Sequence, residues 1–81
     1  MTLNTPWQWE PFDRAGVRVY VTRIGREVYR VCPEDPRSGA LPWRADYYDC
    51  GLAVAASPNA FDSPEAAAEY LFWYHAKRSA R

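Results

Sequence analysis

The first clear pattern in the chain is that of a β-hairpin. Residues 17–24 (VRVYVTRI) alternate between apolar and polar side chains with a period of two, which is typical of a half-buried strand. Residues 25–26 (Gly-Arg) fit a two-residue loop with glycine in its first central position, and residues 27–32 (EVYRVC) return as the partner strand. We expect Ile24 to pair with Glu27, which sets the register of the hairpin.

This register divides the hairpin side chains between two faces. One face is rich in valine and holds Val17, Val19, Val21, Val28 and Cys32. The other holds Arg18, Tyr20, Thr22, Tyr29 and Val31. Because tyrosine and arginine tolerate exposure better than valine does, we expect the valine-rich face to form the core.

The rest of the sheet is predicted from shorter signals. Residues 33–42 (PEDPRSGALP) are turn formers and predict a loop, after which residues 43–48 (WRADYY) resume as a strand. A tight turn at 50–51 leads to a short fourth strand or extended edge at 52–56, which the sequence at 57–59 (SPN) ends.

The N-terminal residues 1–13 read as an extended lead-in, because Pro6 and Pro11 are incompatible with a regular helix. This segment carries three aromatic residues that need a surface to pack on: Trp7, Trp9 and Phe12. We expect them to close one edge of the core. The alternative is a docking arm.

The C-terminal helix has the clearest signals at its ends. Ser63 is a good N-cap, Pro64 stands at the permitted first position, and Glu65 lies in the first turn. Lys77 and Arg78 complement the helix dipole in the last turn. One side of the helix holds Ala67, Tyr70, Leu71 and Tyr74, and the opposite side holds Glu65, Glu69, Phe72 and Ala76.

Together these elements predict an α+β fold in a single domain, residues 1–81. A lead-in at 1–13 precedes an antiparallel three- or four-stranded sheet at 17–56, and one C-terminal helix at 63–78 packs on one face of the sheet, which we expect to be the valine-rich one. Thirteen aromatic residues, 16% of the chain, supply the large side chains that so small a core needs.

Composition narrows the class of protein. The formal net charge is zero, which argues against general nucleic-acid binding, although a local basic face remains compatible with it. The chain shows neither a secretory signal nor an apolar run long enough for a membrane span. We therefore expect a cytoplasmic protein whose Cys32 and Cys50 are reduced thiols.

Candidate chemistry is sparse. His75 is the only histidine, and its place in the last helical turn favours a surface or dipole role over acid–base catalysis. Cys32, Cys50 and His75 lack the short paired spacings of a zinc site. No phosphate-binding loop, dinucleotide fingerprint or nucleophile elbow occurs. We expect neither an enzyme nor a bound cofactor or metal.

Charge is segregated along the chain. Residues 14–30 carry five arginines and one acid, whereas residues 45–76 carry five acids and no lysine or arginine. One interpretation is a dipolar protein with no functional meaning. Two others follow if the segregation is functional.

In the first functional hypothesis, acidic residues around an apolar anchor dock on the basic surface of a protein partner. The predicted contacts are Asp46, Asp49, Glu65, Glu69 and Phe72. In the second hypothesis, the hairpin presents a surface of Arg18, Tyr20 and Tyr29. DNA phosphates would then be contacted by Arg18, Arg23, Arg26 and Arg30.

Each functional hypothesis is supported by a resemblance to a known group of proteins. A three-stranded sheet followed by a helix that opens at residues 61–68 (FDSPEAAA) resembles the arm-binding N-terminal domains of phage integrases, which implies DNA binding. Those domains are usually basic, whereas this helix is acidic and the chain is neutral.

The profile of the whole chain resembles small phage- or prophage-encoded anti-CRISPR proteins that act on type I Cascade complexes, type I-C included. No motif carries this likeness, so it assigns no residue. It implies a protein that binds a Cascade complex in the cytoplasm of a bacterial host and blocks recognition of target DNA. The sequence leaves both a monomer and a homodimer seated on Phe72 open. We rank this function first and the DNA-binding module second.

Overall fold

The hairpin forms as predicted and belongs to a larger sheet. The computed structural model describes residues 1–14, 16–33, 43–56 and 61–79. Within these ranges the chain forms one helix and a five-stranded antiparallel sheet whose strands follow in sequence order. The elements are β1 (Glu10–Arg14), β2 (Val17–Ile24), β3 (Glu27–Pro33), β4 (Trp43–Asp49), β5 (Leu52–Ala56) and α1 (Pro64–Ser79). The α+β class, with a C-terminal helix on an antiparallel sheet, is confirmed.

Both predicted tight turns are present. Ile24 pairs with Glu27, and Gly25 between them has a φ of 65°, a positive value that glycine adopts at no steric cost. Cys50 and Gly51 have φ values of 54° and 82°, which are the two left-handed positions of a type I′ turn. The loop expected at 33–42 lies outside the described residues except for Pro33, and so does the break at 57–59.

The sheet gains a strand within the predicted lead-in. In β1, Glu10 pairs with Val21 and Arg14 pairs with Val17. Pro11 is compatible with a strand here because β1 is at the edge of the sheet, where a residue without an N–H can face away from the neighbouring strand.

The helix packs on the tyrosine-bearing face of the sheet, so the prediction that the valine-rich face forms the core is wrong. We name this buried side the covered face; its side chains are Tyr20, Thr22, Ile24, Tyr29, Val31, Ala45 and Tyr47. Tyr29 and Val31 are 0% exposed. The physical reason is size: a tyrosine ring removes more apolar surface from water than a valine does, provided that its hydroxyl finds a partner.

The opposite side of the sheet, which we name the open face, carries the valines. Its side chains are Glu10, Phe12, Val17, Val19, Val21, Arg23, Val28, Arg30, Cys32, Arg44, Asp46 and Tyr48. Its valines are partly exposed, and Phe12 is 51% exposed. Phe12 is thus not the core residue that the lead-in predicts.

The N-terminal segment shares the covered face with α1. Trp9 is 1% exposed, and its indole N–H donates to the Thr5 hydroxyl at 2.9 Å. The Thr22 hydroxyl donates to the backbone oxygen of Gln8 at 2.7 Å and so joins the segment to β2. Trp7 stacks on Tyr29 with ring centroids 5.0 Å apart. Trp7 and Trp9 therefore close the core, as expected, and do not form a docking arm.

The helix begins as its capping signals predict. The Ser63 hydroxyl accepts a hydrogen bond from the backbone N–H of Ala66 at 3.1 Å. Just before it, Phe61 and Trp43 exchange two backbone hydrogen bonds that hold the start of α1 against β4. Ala67 and Ala68 are fully buried, and their small side chains let the helix backbone approach the sheet closely.

Candidate binding surfaces

The five predicted acidic and apolar contacts do not form one patch. Asp46 lies on the open face, on the opposite side of the sheet from α1. It is 3% exposed, and its carboxylate accepts from Arg30 at 2.8 Å and from Arg44 at 3.3 Å. The prediction that Asp46 meets a partner as a free acid is therefore wrong, because two guanidinium groups already neutralise it.

Cys32 lies beside this ion cluster, with its sulfur 3.8 Å from an oxygen of Asp46. Burial is the main reason why the pKa of the Cys32 thiol is raised, and the neighbouring Asp46 carboxylate acts in the same direction. A thiol with a raised pKa is a poor nucleophile. The position of Cys32 is thus that of a packed side chain within the sheet.

Asp49 is also occupied, by an arginine of the hairpin turn. Its carboxylate lies 3.3 Å from Arg26, at the end of the sheet where β2 turns into β3. Arg26 and Arg30 come from the basic part of the sequence, and Asp46 and Asp49 come from the acidic part. Much of the segregated charge is therefore neutralised within the molecule, because antiparallel pairing of β3 with β4 brings the two parts together.

The second predicted surface is not available as a surface. Tyr29 is 0% exposed, and Tyr20 is partly buried against Trp43, with ring centroids 6.0 Å apart. Arg18 is exposed but forms an ion pair with Asp13 at 2.7 Å. The three side chains do share one face, as the register predicts, but Tyr29 is buried there, Tyr20 is partly buried and only Arg18 is exposed.

Tyr29 is the centre of a polar cluster under the C-terminal half of α1. Its hydroxyl donates to Glu27 at 2.7 Å and lies 2.7 Å from Nδ1 of His75. Because the hydroxyl has a single proton, donation to Glu27 leaves it to accept from an Nδ1–H of His75. Arg78 contacts both oxygens of Glu27 at 3.4 Å and stacks over the ring of Tyr47.

The cluster sets the charge states of its members. Burial and the bond to Glu27 raise the pKa of the Tyr29 phenol far above its usual value, so the phenol stays neutral. Burial alone would raise the pKa of the Glu27 carboxyl, but the Tyr29 bond and the charge of Arg78 outweigh burial and hold this pKa below its usual value.

A tyrosine, a histidine, a glutamate and an arginine in contact also resemble an acid–base site. Here they bond to one another, and Trp7 packs on Tyr29 and against His75, with ring centroids 5.3 Å apart for the second pair. The arrangement anchors the end of α1 to β3. His75 is therefore not the free surface residue that its place in the last turn predicts.

The outer side of α1 retains the other predicted contacts. Glu69 is exposed, and Glu65 and Phe72 are partly exposed. Phe72 packs edge-on against Trp7, with ring centroids 5.3 Å apart, so it is half in the core. The large exposed side chain on this side of α1 is its neighbour Trp73, which is 68% exposed. The rings of Trp73 and Phe72 meet edge-on, with centroids 5.7 Å apart.

Sequence reasoning missed Trp73, although the helical wheel contains the signal. Successive residues turn by 100°, so Trp73 lies one turn after Glu69 and only about 40° from it around the helix. We name the set Glu65, Glu69, Phe72 and Trp73 the helix patch. Within the described part of the chain, neither Glu65 nor Glu69 forms an ion pair, in contrast to Asp46 and Asp49.

Two further observations concern the described residues as a whole. Across residues 1–14, 16–33, 43–56 and 61–79, the histidine, cysteine, aspartate and glutamate side chains form no group of three that could hold a metal ion. The helix in these ranges is too short and too polar to cross a membrane.

Comparison with known proteins finds no relative of this chain. No protein-family model, no curated protein and no solved structure matches the chain.

Proposed function

We propose that the protein acts by binding a protein partner through the helix patch, with Trp73 as the anchor. The observation that carries this proposal is the 68% exposure of Trp73 on a regular helix. Tryptophan is usually well buried, and when it is exposed at a binding surface it is among the residues that contribute most to affinity.

The surroundings of Trp73 favour one class of partner. Glu65 and Glu69 lie on the same side of α1 and lack ion-pair partners among the described residues. Lys77 lies one turn after Trp73, but the two carboxylates outnumber it, so the surroundings of this apolar anchor keep a negative charge that is complementary to a basic surface with an apolar pocket. Electrostatic attraction of this kind speeds association more than it raises affinity.

The helix patch is held in place before any partner arrives. Ala67, Ala68 and Leu71 pack on the sheet, and the cluster around Tyr29 fixes the C-terminal end of the helix. A preformed helix loses little conformational entropy on binding, so more of the contact energy of Trp73 goes into affinity.

We further propose that the partner is a type I Cascade complex and that binding inhibits it. The profile of the sequence points to a type I Cascade complex, whose basic DNA-binding surface has the chemistry that the helix patch suits. Occupation of that surface would prevent recognition of target DNA. In this reading the protein is a stoichiometric inhibitor.

Direct DNA binding is the weaker alternative. Of the four arginines assigned to phosphates, Arg18, Arg26 and Arg30 each contact an aspartate. Release of these pairs would cost part of the energy that phosphate contacts supply. Among the described residues this leaves Arg23, and one phosphate contact gives little affinity at physiological salt.

The test uses a purified type I-C Cascade complex and its target DNA. Wild-type protein is expected to reduce target binding, and Trp73→Ala should weaken this inhibition at least about tenfold, the equivalent of roughly 1.4 kcal/mol. Phe12→Ala is the matched control, because it removes an aromatic ring that is 51% exposed on the other side of the sheet.

Reversal of the two negative charges in the helix patch provides a second test. Glu65→Lys with Glu69→Lys should slow association with Cascade, whereas Glu10→Lys, an exposed acid on the open face, should not. Unchanged inhibition in Trp73→Ala would refute the helix patch. No effect of the wild type on Cascade would refute that partner, and a salt-sensitive shift of free DNA would support the alternative.

A further inference from the structure

A charge of the opposite sign stands one turn beyond the helix patch. Lys77 is exposed, and it follows Trp73 by four residues. Glu69 precedes Trp73 by the same four residues, and Glu65 precedes Glu69 in the same way. Because residues four apart are neighbours on the surface of a helix, two carboxylates, an indole and an ammonium follow one another along the outer side of α1.

Helix geometry fixes the distances within this row. Each residue advances about 1.5 Å along the helix axis and turns by about 100°, so neighbours in the row are about 6 Å apart along the axis and about 40° apart around it. Lys77 is thus about 18 Å from Glu65 along α1, with Trp73 between them. The whole row turns by about 120°, so one partner surface can contact all of it.

The ammonium of Lys77 forms no ion pair with any described residue. Its neighbour Arg78, by contrast, contacts Glu27 and stacks over the ring of Tyr47. A cation in the last turn complements the helix dipole, but Arg78 is a second cation there. Like the carboxylates of the helix patch, Lys77 therefore carries a charge whose counter-charge can come from a partner.

We propose that the partner site that receives α1 has its charges arranged in a matching order, an inference that rests on the function proposed above. The site is basic opposite Glu65 and Glu69 and has its apolar pocket at Trp73. Opposite Lys77 it is acidic. The helix can then lie in the site in one direction only, because reversal would bring like charges together. Helices that bind in grooves are recognised in this way, through side chains spaced by single turns.

A site of mixed charge belongs to a protein and not to a nucleic acid. Phosphates are uniformly negative, so DNA in contact with Lys77 would repel the nearby carboxylates of Glu65 and Glu69. A protein surface offers both signs within this distance wherever a basic region borders an acidic one. Since the row has two acids and one lysine, the basic part of the partner site is the larger part.

This order also gives the direction of α1 on a Cascade complex. The site then lies where the basic DNA-binding surface borders an acidic region of protein. The end of α1 that carries Glu65 and Glu69 lies over the DNA path, where its carboxylates occupy the place of phosphates. The end that carries Lys77 lies outside that path and holds the helix in its direction.

The first experiment is a zero-length cross-link within the complex of this protein and type I-C Cascade. A carbodiimide activates a carboxylate, and an amine in contact with it displaces the activating group to form an amide. Lys77 is the only lysine of the chain, so a single lysine-containing peptide should be joined to an aspartate or glutamate of Cascade. Lys77→Arg keeps the charge but lacks the amine, so it should inhibit like the wild type and lose this cross-link.

The second experiment measures how reversal of the Lys77 charge changes the inhibition of target binding. Lys77→Glu should weaken inhibition about fivefold, because an attraction at the partner surface becomes a repulsion. Arg23→Glu is the matched control: it makes the same change in net charge at an exposed position of β2, on the open face, and should inhibit like the wild type. Lys77→Gln, which removes the charge without reversing it, should lie between. Far-UV circular dichroism verifies that α1 is intact in each variant.

The outcomes separate this inference from the proposed function. If Trp73→Ala weakens inhibition but Lys77→Glu leaves it unchanged or strengthens it, the partner site is not acidic at this end, and the inference is overturned while the proposed function stands. The same holds if Trp73→Ala weakens inhibition and Lys77 forms no cross-link to Cascade. Unchanged inhibition in both Trp73→Ala and Lys77→Glu overturns the two together.

Discussion

The two faces of the sheet consist of the same strands but differ in their side chains and in how the polar groups are bonded. On the covered face, large aromatic side chains are buried, and the Tyr29 hydroxyl is bonded to Glu27 and His75. On the open face, aliphatic side chains stand beside an ion cluster centred on Asp46. Apolar character alone therefore does not decide which face is buried.

Area and hydrogen bonding decide it instead. Valine suits a strand because its branched side chain fits the pleated surface, whether or not that surface is covered. Tyrosine brings more area per residue, and it is favoured in the core once its hydroxyl is satisfied. Here α1 provides His75, and β3 itself provides Glu27, so the condition is met for Tyr29, whereas the buried hydroxyl of Tyr47 has no hydrogen-bond partner among the described residues.

The largest difference in stability should be seen between removal of one aromatic ring from the covered face and removal of one from the open face. Trp9→Ala removes an indole that is 1% exposed, leaves a cavity and deprives Thr5 of a hydrogen bond. We expect a loss of about 3–5 kcal/mol in the free energy of unfolding. Phe12→Ala, on the open face, should cost less than about 1 kcal/mol in the monomer. Urea denaturation at low protein concentration measures both, and equal losses would mean that the two faces are not distinct.

The next contrast compares a buried ion cluster with an exposed ion pair. Asp46→Asn leaves Arg30 and Arg44 without their counter-charge, and Arg30 is largely buried, with its side chain 34% exposed. We expect a loss of about 2–3 kcal/mol, less than for a fully buried pair because both arginines reach solvent.

Its control is Asp13→Asn, which breaks the pair with Arg18. Both side chains of that pair are about half exposed or more, so the change should alter the free energy of unfolding by no more than about 0.5 kcal/mol. A similar loss in the two variants would show that the Asp46 cluster contributes no more than a surface pair.

The smallest expected effect is the pH-dependent contribution of Glu27, on the covered face, to the free energy of unfolding. The pKa of Glu27 is lowered in the folded state, so its contribution to stability is present above the pKa of the unfolded chain. That contribution disappears as the pH falls through the folded pKa. Glu27→Gln should cost roughly 1.5–2 kcal/mol at pH 7, which is the lower part of the range for hydrogen bonds to a charged group.

The difference between wild type and Glu27→Gln should therefore narrow as the pH is lowered from 6 towards 3, which thermal unfolding over this range would measure. A constant difference would mean that Glu27 acts through shape and not through its charge. The open-face control Glu10→Gln, an exposed position, should leave the curve unchanged.

Local signals predicted most of the elements. The hairpin register follows from the period of two and from Gly25, and the start of α1 follows from Ser63, because turns and caps depend on neighbouring residues only. β1 lacks such a signal: its sequence, EPFDR, neither alternates nor avoids proline, and only its pairing with β2 makes it a strand.

The surfaces were harder to predict because they depend on tertiary contacts. Asp46 and Asp49 are acids in the sequence but not on the surface, since β3–β4 pairing and the hairpin turn supply their arginines. Tyr29 is buried because the N-terminal segment brings Trp7 across it and α1 brings His75 against it. Of the predicted contacts, those on α1 kept their positions, because a helical wheel already defines a side.

The uneven exposure of the tryptophans also gives the molecule an optical probe. Trp9 is 1% exposed and Trp73 is 68% exposed, so collisional quenchers in water reach the second indole far more readily than the first. Glu69 and Lys77 each lie one helical turn from Trp73, so a neutral quencher such as acrylamide reaches this indole without a bias from either charge. Trp7 and Trp43 are partly buried, so the most readily quenched part of the emission comes from Trp73 and reports the occupancy of the helix patch without any label.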